Sequence, residues 1–532
     1  MAASIQHSSL FLFASLFSAL SFAALNPYAY GLKSKLSDDE KTVTITYKLN
    51  APATAVSVVV LDGETVLKTQ SSTGITQGEH SVDISTDGFP KGKTLKWKVV
   101  VNGNSVANPT LHDESIRFYL PYGMDIDVDP ESDYMGNWYV IESSSATKGV
   151  DKYKTYQSYN VGRGLYAFDP TLTPVKNSAG TIGFTGGANV GYLATDININ
   201  NDKLNFYRVT TSGGRVFIGR FRDGDAYHPI IEANPADLNA DFTSVFTTGR
   251  AVSIDAIGRG ENLKLVMLAK DNNIYEYDLG NAKSIAAASR TINIGDLSIL
   301  RDDATITYDN NGGIWFNQNR GTATEASPTI AHLTASGVDY NNVKAGLTHN
   351  NTNNSGIAVS PDGKQLAVVG AGSKNITVYN INNTGGNITL TKAYSFAVSA
   401  GNNHTALAWD YAGNLFAANR SEERIRIFAM PYSGTVSTPC PSKHAFSLTA
   451  DPQLNPFAYN LWSELSADEK NLMIKYSLNA KATSVEWVLM DGTNVVKTVD
   501  LASLGLEKGD YTTTISTTDF PQYKQLTWKI EV

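Results

Sequence analysis

The sequence contains very little cysteine, few charged side chains and few histidines. Among its 532 residues there is one cysteine, Cys440, so no disulfide can form within the chain. Charged residues make up 18% of the chain and the net charge is −8, which argues against the basic surface that binds nucleic acid. The 8 histidines are scattered and give no zinc-ligand spacing. We therefore expect no metal, no cofactor and no nucleic-acid partner.

Short catalytic motifs are missing as well. The sequence contains neither the G-x-S-x-G turn of hydrolases nor the H-E-x-x-H pair of zinc proteases. The stretch GFPKGKT (88–94) is one residue short of a phosphate-binding loop, and it predicts an ordinary turn. These absences favour a protein without catalytic activity. An enzyme that acts on extracellular glycans is the alternative.

Long hydrophobic runs are confined to the amino terminus. The run SSLFLFASLFSALSFAA (8–24) ends in small residues, as a secretory signal does, although no Lys or Arg precedes it. It is shorter than the roughly 20 residues that a membrane-spanning helix needs. We predict a signal peptide over residues 1–24, cleavage near Ala24, a secreted or cell-surface location and no transmembrane segment.

The composition of the remaining chain favours β structure. It is rich in glycine and tyrosine, with 43 and 26 residues, and 10% of the residues are aromatic. A chain of this length is too long for one hydrophobic core, so we expect several domains. The predicted fold class is all-β.

One passage occurs near both ends of the chain. Residues 25–49 read LNPYAYGLKSKLSDDEKTVTITYKL, and residues 454–478 read LNPFAYNLWSELSADEKNLMIKYSL. Both contain an alternating apolar stretch, which predicts a strand with one buried face. Each copy then carries an Asp-Gly hairpin signal, followed by a strand that contains Trp97 or Trp528. We expect both tryptophans to anchor hydrophobic cores.

These two copies resemble small immunoglobulin-like modules. Six or seven short strands in about 78 residues are typical of an immunoglobulin-like sandwich. The arrangement is similar to the immunoglobulin-like or fibronectin-III-like modules of bacterial secreted proteins, including the module of the flagellar hook-capping protein. The opening NPYAYGL also resembles modules of secreted Bacteroidetes proteins. The resemblance implies immunoglobulin-like domains at 25–102 and 454–532.

Residues 122–432 contain a looser repeat of about 50 residues. Each unit has a β-rich stretch that ends in an acidic residue or a turn, followed by two further apolar strands. The six stretches are GMDIDVD (123–129), VGYLATD (190–196), GRAVSID (249–255), DATITYD (303–309), NSGIAVSPDG (354–363) and HTALAWD (404–410).

The repeat is similar to the blades of β-propellers. SGIAVSPDGKQLAVVGAGSKNITVYNI (355–381) resembles a blade of the YVTN and WD40-like propellers, and ALAWDYAGNLFAANRSEERIRIFAMP (406–431) resembles an NHL blade. The resemblance implies a propeller over 122–432, with six blades favoured and seven as the alternative. Residues 103–121 are then a linker or a closing strand, and residues 433–453 are a linker.

Two acidic stretches resemble known turns. DIDVDPESD (125–133) stacks acids as calcium loops do, but it lacks the central glycine of such loops. It predicts a solvated strand edge, with an ion site as the alternative. TYDNNGGIW (307–315) is similar to the Asp-box turn of sialidase-type propellers, which is a structural turn.

The innermost strand of a propeller blade lines the central channel, so residues just before it should surround one mouth of that channel. Aligning the six units places Gly123, Val190, Gly249, Asp303, Asn354 and His404 in one column, with Arg250 one position further on. The polar members predict a ligand-binding site formed by Arg250, Asp303, Asn354 and His404. Its partner would be an extracellular glycan, a peptide or another protein.

Overall fold

A computed structural model describes most of the chain. The described residues are 24–532 except 114–115, 119, 143–154, 157–158, 161–163, 176–205, 221–228, 239–242, 247–248, 295–303, 319–328, 335–339, 342–355, 370–374, 385–386, 398–403, 421, 451–454 and 523. They form two compact units, one that ends at Leu448 and a second over Thr449–Val532. Besides strands, the described residues contain only short 3₁₀ turns, at Gly260–Asn262, Ser442–His444 and Ala502–Leu504. The predicted all-β class is confirmed.

The first copy of the repeated passage folds into two sheets that face each other. Its strands are β1 (Ala29–Leu36), β2 (Thr42–Leu49), β3 (Ala55–Asp62), β4 (Thr65–Ser72), β5 (Gly78–Ser85) and β6 (Thr94–Asn102). One sheet has the order β1-β2-β5, and the other contains β6-β3-β4. The alternating side chains of β2 are buried between the sheets, and Trp97 is 1% exposed, so its predicted place in the core is confirmed. We call β1–β6 the first module.

A series of small antiparallel sheets follows the first module. The strands are β7 (Thr110–Asp113), β8 (Pro121–Ile126), β9 (Trp138–Glu142), β10 (Thr155–Tyr156), β11 (Tyr159–Asn160), β12 (Gly164–Phe168), β13 (Phe206–Ser212), β14 (Arg215–Arg220), β15 (Ile230–Ala233), β16 (Thr243–Phe246), β17 (Ala251–Ile257), β18 (Lys264–Ala269), β19 (Asn273–Asp278), β20 (Arg290–Asn293), β21 (Thr305–Tyr308), β22 (Ile314–Asn317), β23 (Ile330–Leu333), β24 (Tyr340–Asn341), β25 (Ile357–Val359), β26 (Gln365–Val369), β27 (Asn375–Thr384), β28 (Asn387–Ala397), β29 (His404–Trp409), β30 (Leu415–Asn419) and β31 (Arg424–Ala429).

In the described part of the chain these strands build six successive sheets. Sheet 1 has the order β8-β9-β12, sheets 2 to 5 are β13–β16, β17–β20, β21–β24 and β25–β28, and sheet 6 is β29-β30-β31-β7. A separate hairpin joins β10 to β11. The outermost strand of sheet 6, β7, comes from the stretch just before sheet 1. The two ends of the series therefore meet in one sheet.

The six sheets are arranged around their first strands. The first strand of each sheet contacts the first strand of the next, in the order β8, β13, β17, β21, β25, β29 and back to β8. This radial arrangement of small antiparallel sheets is that of a β-propeller.

Hydrophobic cores fill the spaces between neighbouring sheets. In β9, Tyr139 and Ile141 pack with sheet 2, whereas Trp138 and Val140 pack with sheet 6. Each sheet therefore buries both faces, which explains why the second strands read as continuous apolar runs rather than as an alternation.

The structure describes the second repeat unit only in part. The alignment placed its first strand at 190–196, but these residues, including Val190, lie outside the described residues. The innermost described strand of sheet 2 is β13. Gly213 and Gly214, both at positive φ, form the tight turn that pairs β13 with β14.

The predicted linker 433–453 instead contains two strands that belong to the first module. Strand β32 (Thr435–Pro439) pairs antiparallel with β6, and β33 (Phe446–Ser447) pairs with the start of the same strand. Cys440, Phe446 and Leu448 join the core of the module. No local pattern predicted this pairing, because the partner strands lie more than 300 residues apart.

The second copy of the passage forms the second compact unit. Its strands are β34 (Ala458–Leu465), β35 (Asn471–Leu478), β36 (Glu486–Asp491), β37 (Asn494–Asp500), β38 (Gly509–Ser516) and β39 (Thr527–Glu531). They form two sheets, β34-β35-β38 and β37-β36-β39, around a core that contains Tyr476 and Trp487. Trp528 is only partly buried against this core. We call β34–β39 the second module.

The predicted signal peptide lies almost wholly outside the described residues, since these begin at residue 24. Among the residues that are described, no helix has the length and apolar character needed to cross a membrane.

Candidate functional site: the channel between the first strands

The first strands of the six sheets surround a cavity of about 440 Å³, which we call the channel cavity. Many of its lining residues are small. Gly356 directly precedes β25, Ala358 lies in β25, and Ala406 and Ala408 lie in β29. Because these side chains do not reach across the ring, the centre stays open instead of being filled by core residues.

Gly123 allows two first strands to approach closely. A Cβ atom at this position would lie 2.9 Å from both Arg208 Cα and Tyr207 O in β13. Such a contact is closer than real Cβ atoms make, so any other residue would push β8 and β13 apart. The glycine is needed for close packing between sheets 1 and 2.

A buried carboxyl group connects sheet 1 to sheet 2. Asp125 Oδ2 accepts hydrogen bonds from the backbone N–H of Thr211 at 2.7 Å and from the hydroxyl of Thr210 at 3.1 Å. Its Oδ1 accepts from the N–H of Ile126 at 2.9 Å. The carboxyl group therefore links β8 to β13 along the wall of the channel.

A second buried carboxyl group continues the link to sheets 3 and 4. Asp255 Oδ1 lies 2.8 Å from the same Thr210 hydroxyl, and Asp255 Oδ2 accepts from the N–H of Tyr308 at 2.6 Å. The Thr210 oxygen also accepts from the N–H of Ala256 at 3.1 Å. Thr210 is thus the centre of a polar network that joins four neighbouring first strands.

A proton shared between the two carboxyl groups would complete this network. A hydroxyl has one proton to donate, yet Thr210 Oγ1 lies within hydrogen-bonding distance of both carboxyl groups. The second contact becomes a hydrogen bond when one carboxyl is itself protonated and donates to Thr210. Burial, and then the nearby charge of Asp255, raise the pKa of Asp125, and burial raises the pKa of Asp255. Both shifts favour the shared proton.

Thr211 contributes an unmatched hydroxyl oxygen to the wall of the channel cavity. The residue is 7% exposed, and its Oγ1 has no hydrogen-bond partner among the described residues. A buried hydroxyl without a partner costs about 1–3 kcal/mol. Such a group is therefore a candidate contact for a ligand in the cavity.

The rim of the cavity carries charged and amide side chains from the turns that follow the first strands. Arg259 Nη1 donates to Asp129 Oδ1 at 2.9 Å, and this arginine is 53% exposed. Asn310 Nδ2 donates to the carbonyl of Pro361 at 2.9 Å. Both residues line the cavity at the turns after β17 and β21.

The acidic turns predicted from the sequence are held by hydrogen bonds within the chain. Asp127 is buried and accepts from the N–H of Asp129 and from the hydroxyl of Ser132, and burial raises its pKa to about 6. It does not lie on a solvated strand edge, so this part of the interpretation of DIDVDPESD is wrong. Within the described residues, no cluster of three or more His, Cys, Asp or Glu side chains could hold a metal ion.

The turn TYDNNGGIW is also held by hydrogen bonds within the chain. Asp309 accepts hydrogen bonds from the N–H groups of Asn311 and Gly313, and it lies 2.7 Å from His332 Nε2. Burial acts to raise the pKa of Asp309, but the hydrogen bonds from His332, Gly313 and Asn311 outweigh it and lower the pKa. The turn closes the hairpin between β21 and β22.

The structure describes only part of the predicted four-residue site. Arg250 directly precedes β17, and its side chain lines a separate pocket with Phe246, Met267 and Tyr275. His404 begins β29, but its side chain lies outside the described residues, as do Asp303 and Asn354. The site formed by these four residues stays a prediction.

The same end of the ring carries a cluster that sequence reasoning missed. The rings of Tyr122 and Tyr207 lie 4.2 Å apart, with the guanidinium of Arg208 5.0 Å from the first ring and 4.9 Å from the second. Arg420 lies over the outer side, 5.5 Å from the Tyr122 ring. Arginine over aromatic rings is a stable arrangement. It places the guanidinium groups of Arg208 and Arg420 beside Tyr122, near the start of β8.

The comparisons with known proteins give remote structural similarity only. No family model matches the chain, and no curated protein matches it. A protein of unknown function from Bacteroides thetaiotaomicron is 11% identical, with 75% of this chain and 98% of that chain covered and a TM-score of 0.37.

Two further solved structures resemble the chain to a similar degree. An auxiliary nutrient binding protein from Bacteroides ovatus is 12% identical, with coverage of 75% and 95% and a TM-score of 0.35. The WD40 propeller domain of Doa1 is 12% identical, with coverage of 62% and 97% and a TM-score of 0.34.

Proposed function

We propose that this protein is a secreted or cell-surface binding protein without catalytic activity. In this proposal two immunoglobulin-like modules flank a six-bladed β-propeller, and a ligand binds in the channel cavity. The closed ring of contacts between six first strands supports the blade number. The apolar run that ends at Ala24 supports secretion.

The unpartnered hydroxyl of Thr211 carries the proposal for the binding site. Folded chains rarely leave a buried polar atom without a partner, and where they do a functional reason is common. The neighbouring polar groups of Asp125, Thr210 and Asp255 bond to one another or to backbone N–H groups. Thr211 Oγ1 is the group that a ligand would satisfy.

The ligand that fits best is a short glycan. A cavity of about 440 Å³ lies within the ordinary size range of small-molecule sites. Its wall combines hydroxyl groups with small apolar side chains, and its rim offers Arg259 and Asn310 as hydrogen-bond donors. A loop of a partner protein or a peptide is the second form of ligand that this cavity would accept.

The paired carboxyl groups are the observation that would favour an enzyme. Asp125 and Asp255 lie side by side in the channel, as the two acids of a glycosidase do. In a glycosidase, however, the space between the acids is left for the sugar or the water. Here Thr210 lies between them, and backbone N–H groups bind their outer oxygens. This arrangement favours a role in joining the sheets.

In the sequence, the predicted residues Arg250, Asp303, Asn354 and His404 precede or begin the first strands of their units, so we propose that they surround the channel mouth opposite Arg259 and Asn310. Together with Arg208 and Arg420 they would form a cationic mouth. We propose this mouth as a second contact area, suited to an acidic group of the same ligand or of a partner protein.

Binding of the full-length chain to an array of soluble neutral and acidic oligosaccharides tests the proposal. For an oligosaccharide that binds, calorimetry should show about 5–20-fold weaker binding by Thr211→Val, the scale of one lost hydrogen bond to a desolvated group. The same change should leave stability equal or higher, because it removes an unmatched buried hydroxyl.

The matched control is Lys364→Ala, since Lys364 is exposed in the turn after β25 and does not line the cavity. Incubation with the bound oligosaccharide, followed by chromatography, should show no cleavage. Cleavage that disappears in Asp255→Asn would overturn the proposal in favour of a glycosidase.

A further inference from the structure

The two modules share a sequence but differ in what covers them. Residue n of the first module corresponds to residue n + 429 of the second over strands β1 and β34, so that Tyr28 matches Phe457 and Leu32 matches Leu461. Tyr28 and Leu32 are 1% and 3% exposed, whereas Phe457 and Leu461 are 55% and 46% exposed. The same apolar face is buried in one module and open in the other.

In the first module, Tyr28 packs against Met135 and Ala412, which lie outside the module. Leu32 instead shares a core with Cys440, Phe446 and Leu448 of residues 433–448, which we call the covering segment. Strand β32 pairs with β6 from Thr435↔Asn102 to Pro439↔Lys98, and the N–H of Cys440 then donates to the carbonyl of Trp97 at 2.8 Å. Phe446 packs against Phe89, with ring centroids 6.5 Å apart. Under this cover Leu95, Val99 and Val101 are completely buried.

One backbone carbonyl of the covering segment accepts hydrogen bonds from both sheets of the first module. The indole Nε1 of Trp97 donates to the carbonyl of His444 at 2.8 Å, and the hydroxyl of Ser34 donates to the same carbonyl at 2.6 Å. Trp97 lies in β6, and Ser34 lies in β1. The segment therefore bridges the two sheets at their open side.

The second module has the same two donors but a different partner for them. Trp528 and Ser463 are the equivalents of Trp97 and Ser34, and Trp528 Nε1 donates directly to Ser463 Oγ at 3.1 Å. Among the described residues, β39 pairs only with β36, so the edge that corresponds to the covered edge of β6 has no strand beside it. Trp528 and Ile530 are only partly buried as a result.

We propose that the second module binds an extended segment of another protein between β34 and β39, in the manner in which the first module binds residues 433–448. The segment would pair antiparallel with β39 and insert one carbonyl between Trp528 Nε1 and Ser463 Oγ. Addition of a strand to an open sheet edge is a common mode of peptide recognition.

The chemistry of the partner follows from the covering segment. Its strand part reads TVSTP, with hydroxyl and β-branched side chains that suit an edge strand, and a small apolar side chain follows at Cys440. An aromatic side chain then packs as Phe446 does. A segment of this kind would bury Leu461 and complete the core around Trp528, which is the gain that drives binding. In each copy of this chain, residues 433–448 are already paired with β6 of the same copy. This favours another protein as the source of the segment that binds the second module.

The test is the binding of a fluorescein-labelled peptide of residues 433–448, with alanine at the cysteine position, to the full-length chain. Fluorescence anisotropy should show saturable binding of one peptide per chain. Leu461→Asp should weaken it at least tenfold. The matched control is Val495→Asp, because Val495 is 60% exposed and its equivalent in the first module, Val66, is 56% exposed and therefore uncovered in both modules.

Hydrogen exchange distinguishes the site from other outcomes. The peptide should slow exchange of backbone amides in residues 526–532 and leave residues 94–102 unchanged. Absence of saturable binding at millimolar peptide would overturn the proposal, and so would equal binding by Leu461→Asp. Faster exchange in residues 94–102 would also overturn it, since the peptide would then displace the chain's own segment. Self-association of the chain without peptide binding would assign the edge to a second copy instead.

Discussion

The indole Nε1 of Trp97 donates a 2.8 Å hydrogen bond to the carbonyl of His444, which lies 347 residues further along the chain. This contact joins the first module to residues that follow the last sheet of the ring. The first module is therefore complete only when chain segments from both sides of the propeller are present, as sheet 6 is complete only with β7.

Residues 25–101 alone should consequently be less stable than the repeat suggests. Without residues 433–448, the apolar side chains of β6 lose the cover of Phe446 and Leu448. A second protein would carry residues 433–448 joined by a flexible linker to residue 102. We expect its unfolding free energy to exceed that of residues 25–101 alone by at least about 3 kcal/mol, the scale of a few buried apolar side chains. Urea denaturation of both proteins measures this difference. Equal stabilities would show that the segment does not contribute to the module.

Asn26 should contribute strongly to the attachment of the first module to sheet 6. Its Nδ2 donates to the carbonyls of Met430 at 2.9 Å and Ala412 at 3.3 Å, and the residue is 1% exposed. Asn26→Ala should lower the unfolding free energy of the first unit by about 1–3 kcal/mol, because both buried carbonyls lose a partner. Asn455→Ala, at the equivalent exposed position of the second module, should change stability by less than about 0.5 kcal/mol. Similar effects of the two changes in chemical denaturation would contradict this account.

Thr210 should be more sensitive to loss of its hydroxyl than to loss of its methyl group. Thr210→Val leaves Asp125 and Asp255 without their common partner and should cost about 2–4 kcal/mol, as expected for buried charged groups that lose a hydrogen bond. Thr210→Ser retains the hydroxyl and should cost about 1 kcal/mol. Denaturation curves at pH 7 compare the two variants. A greater loss for serine than for valine would show that packing, not the polar network, decides stability at this position.

The stability of the first unit should fall as the pH rises from about 4 to about 6. An unfolded aspartate loses its proton near pH 4, whereas burial raises the pKa of Asp127 to about 6 in the folded chain. Between these values the folded state holds more protons than the unfolded state, so each rise in pH favours unfolding. The contribution of Asp127 is fully present below about pH 4 and lost above about pH 6.

Asp127→Asn should reduce the loss of stability between pH 4 and pH 6 by about 3 kcal/mol at most. The new amide can keep a hydrogen bond with Ser132, because a hydroxyl group can donate or accept. Thermal unfolding at several values between pH 4 and pH 7 measures the effect. The control is Asp87→Asn at an exposed position of the first module, which should keep the pH dependence of the unchanged protein. An unaltered slope in Asp127→Asn would place the titrating groups elsewhere.

The fold follows from local patterns to a large extent. Alternation in β2 and the Asp62-Gly63 turn predicted the first hairpins of the module, and the apolar second strands marked the sheets of the ring. The addition of β32 to β6 could not be predicted in this way, because the pairing depends on a partner strand more than 300 residues away. The first strand predicted for the second unit, at 190–196, lies outside the described residues, and β13 is the innermost described strand of sheet 2.

The candidate site was harder to predict because it depends on the register of the first strands. Asp255 was aligned with the acids that end each unit, but it lies within β17, two residues before the strand ends at Ile257. Its side chain therefore reaches Thr210 in the channel rather than a turn. Thr210 and Thr211 have no sequence signal at all, since threonine is common in strands. Only the contact between β13 and its neighbours reveals their position.

The most direct test of the binding proposal is an experimental structure of the full-length chain with an oligosaccharide selected on the array. The account predicts a ligand oxygen within about 3 Å of Thr211 Oγ1, inside the ring of first strands, with Asp125 and Asp255 still bonded to Thr210. A ligand bound outside the channel cavity, or one whose scissile bond lies between the two carboxyl groups after displacement of Thr210, would contradict it.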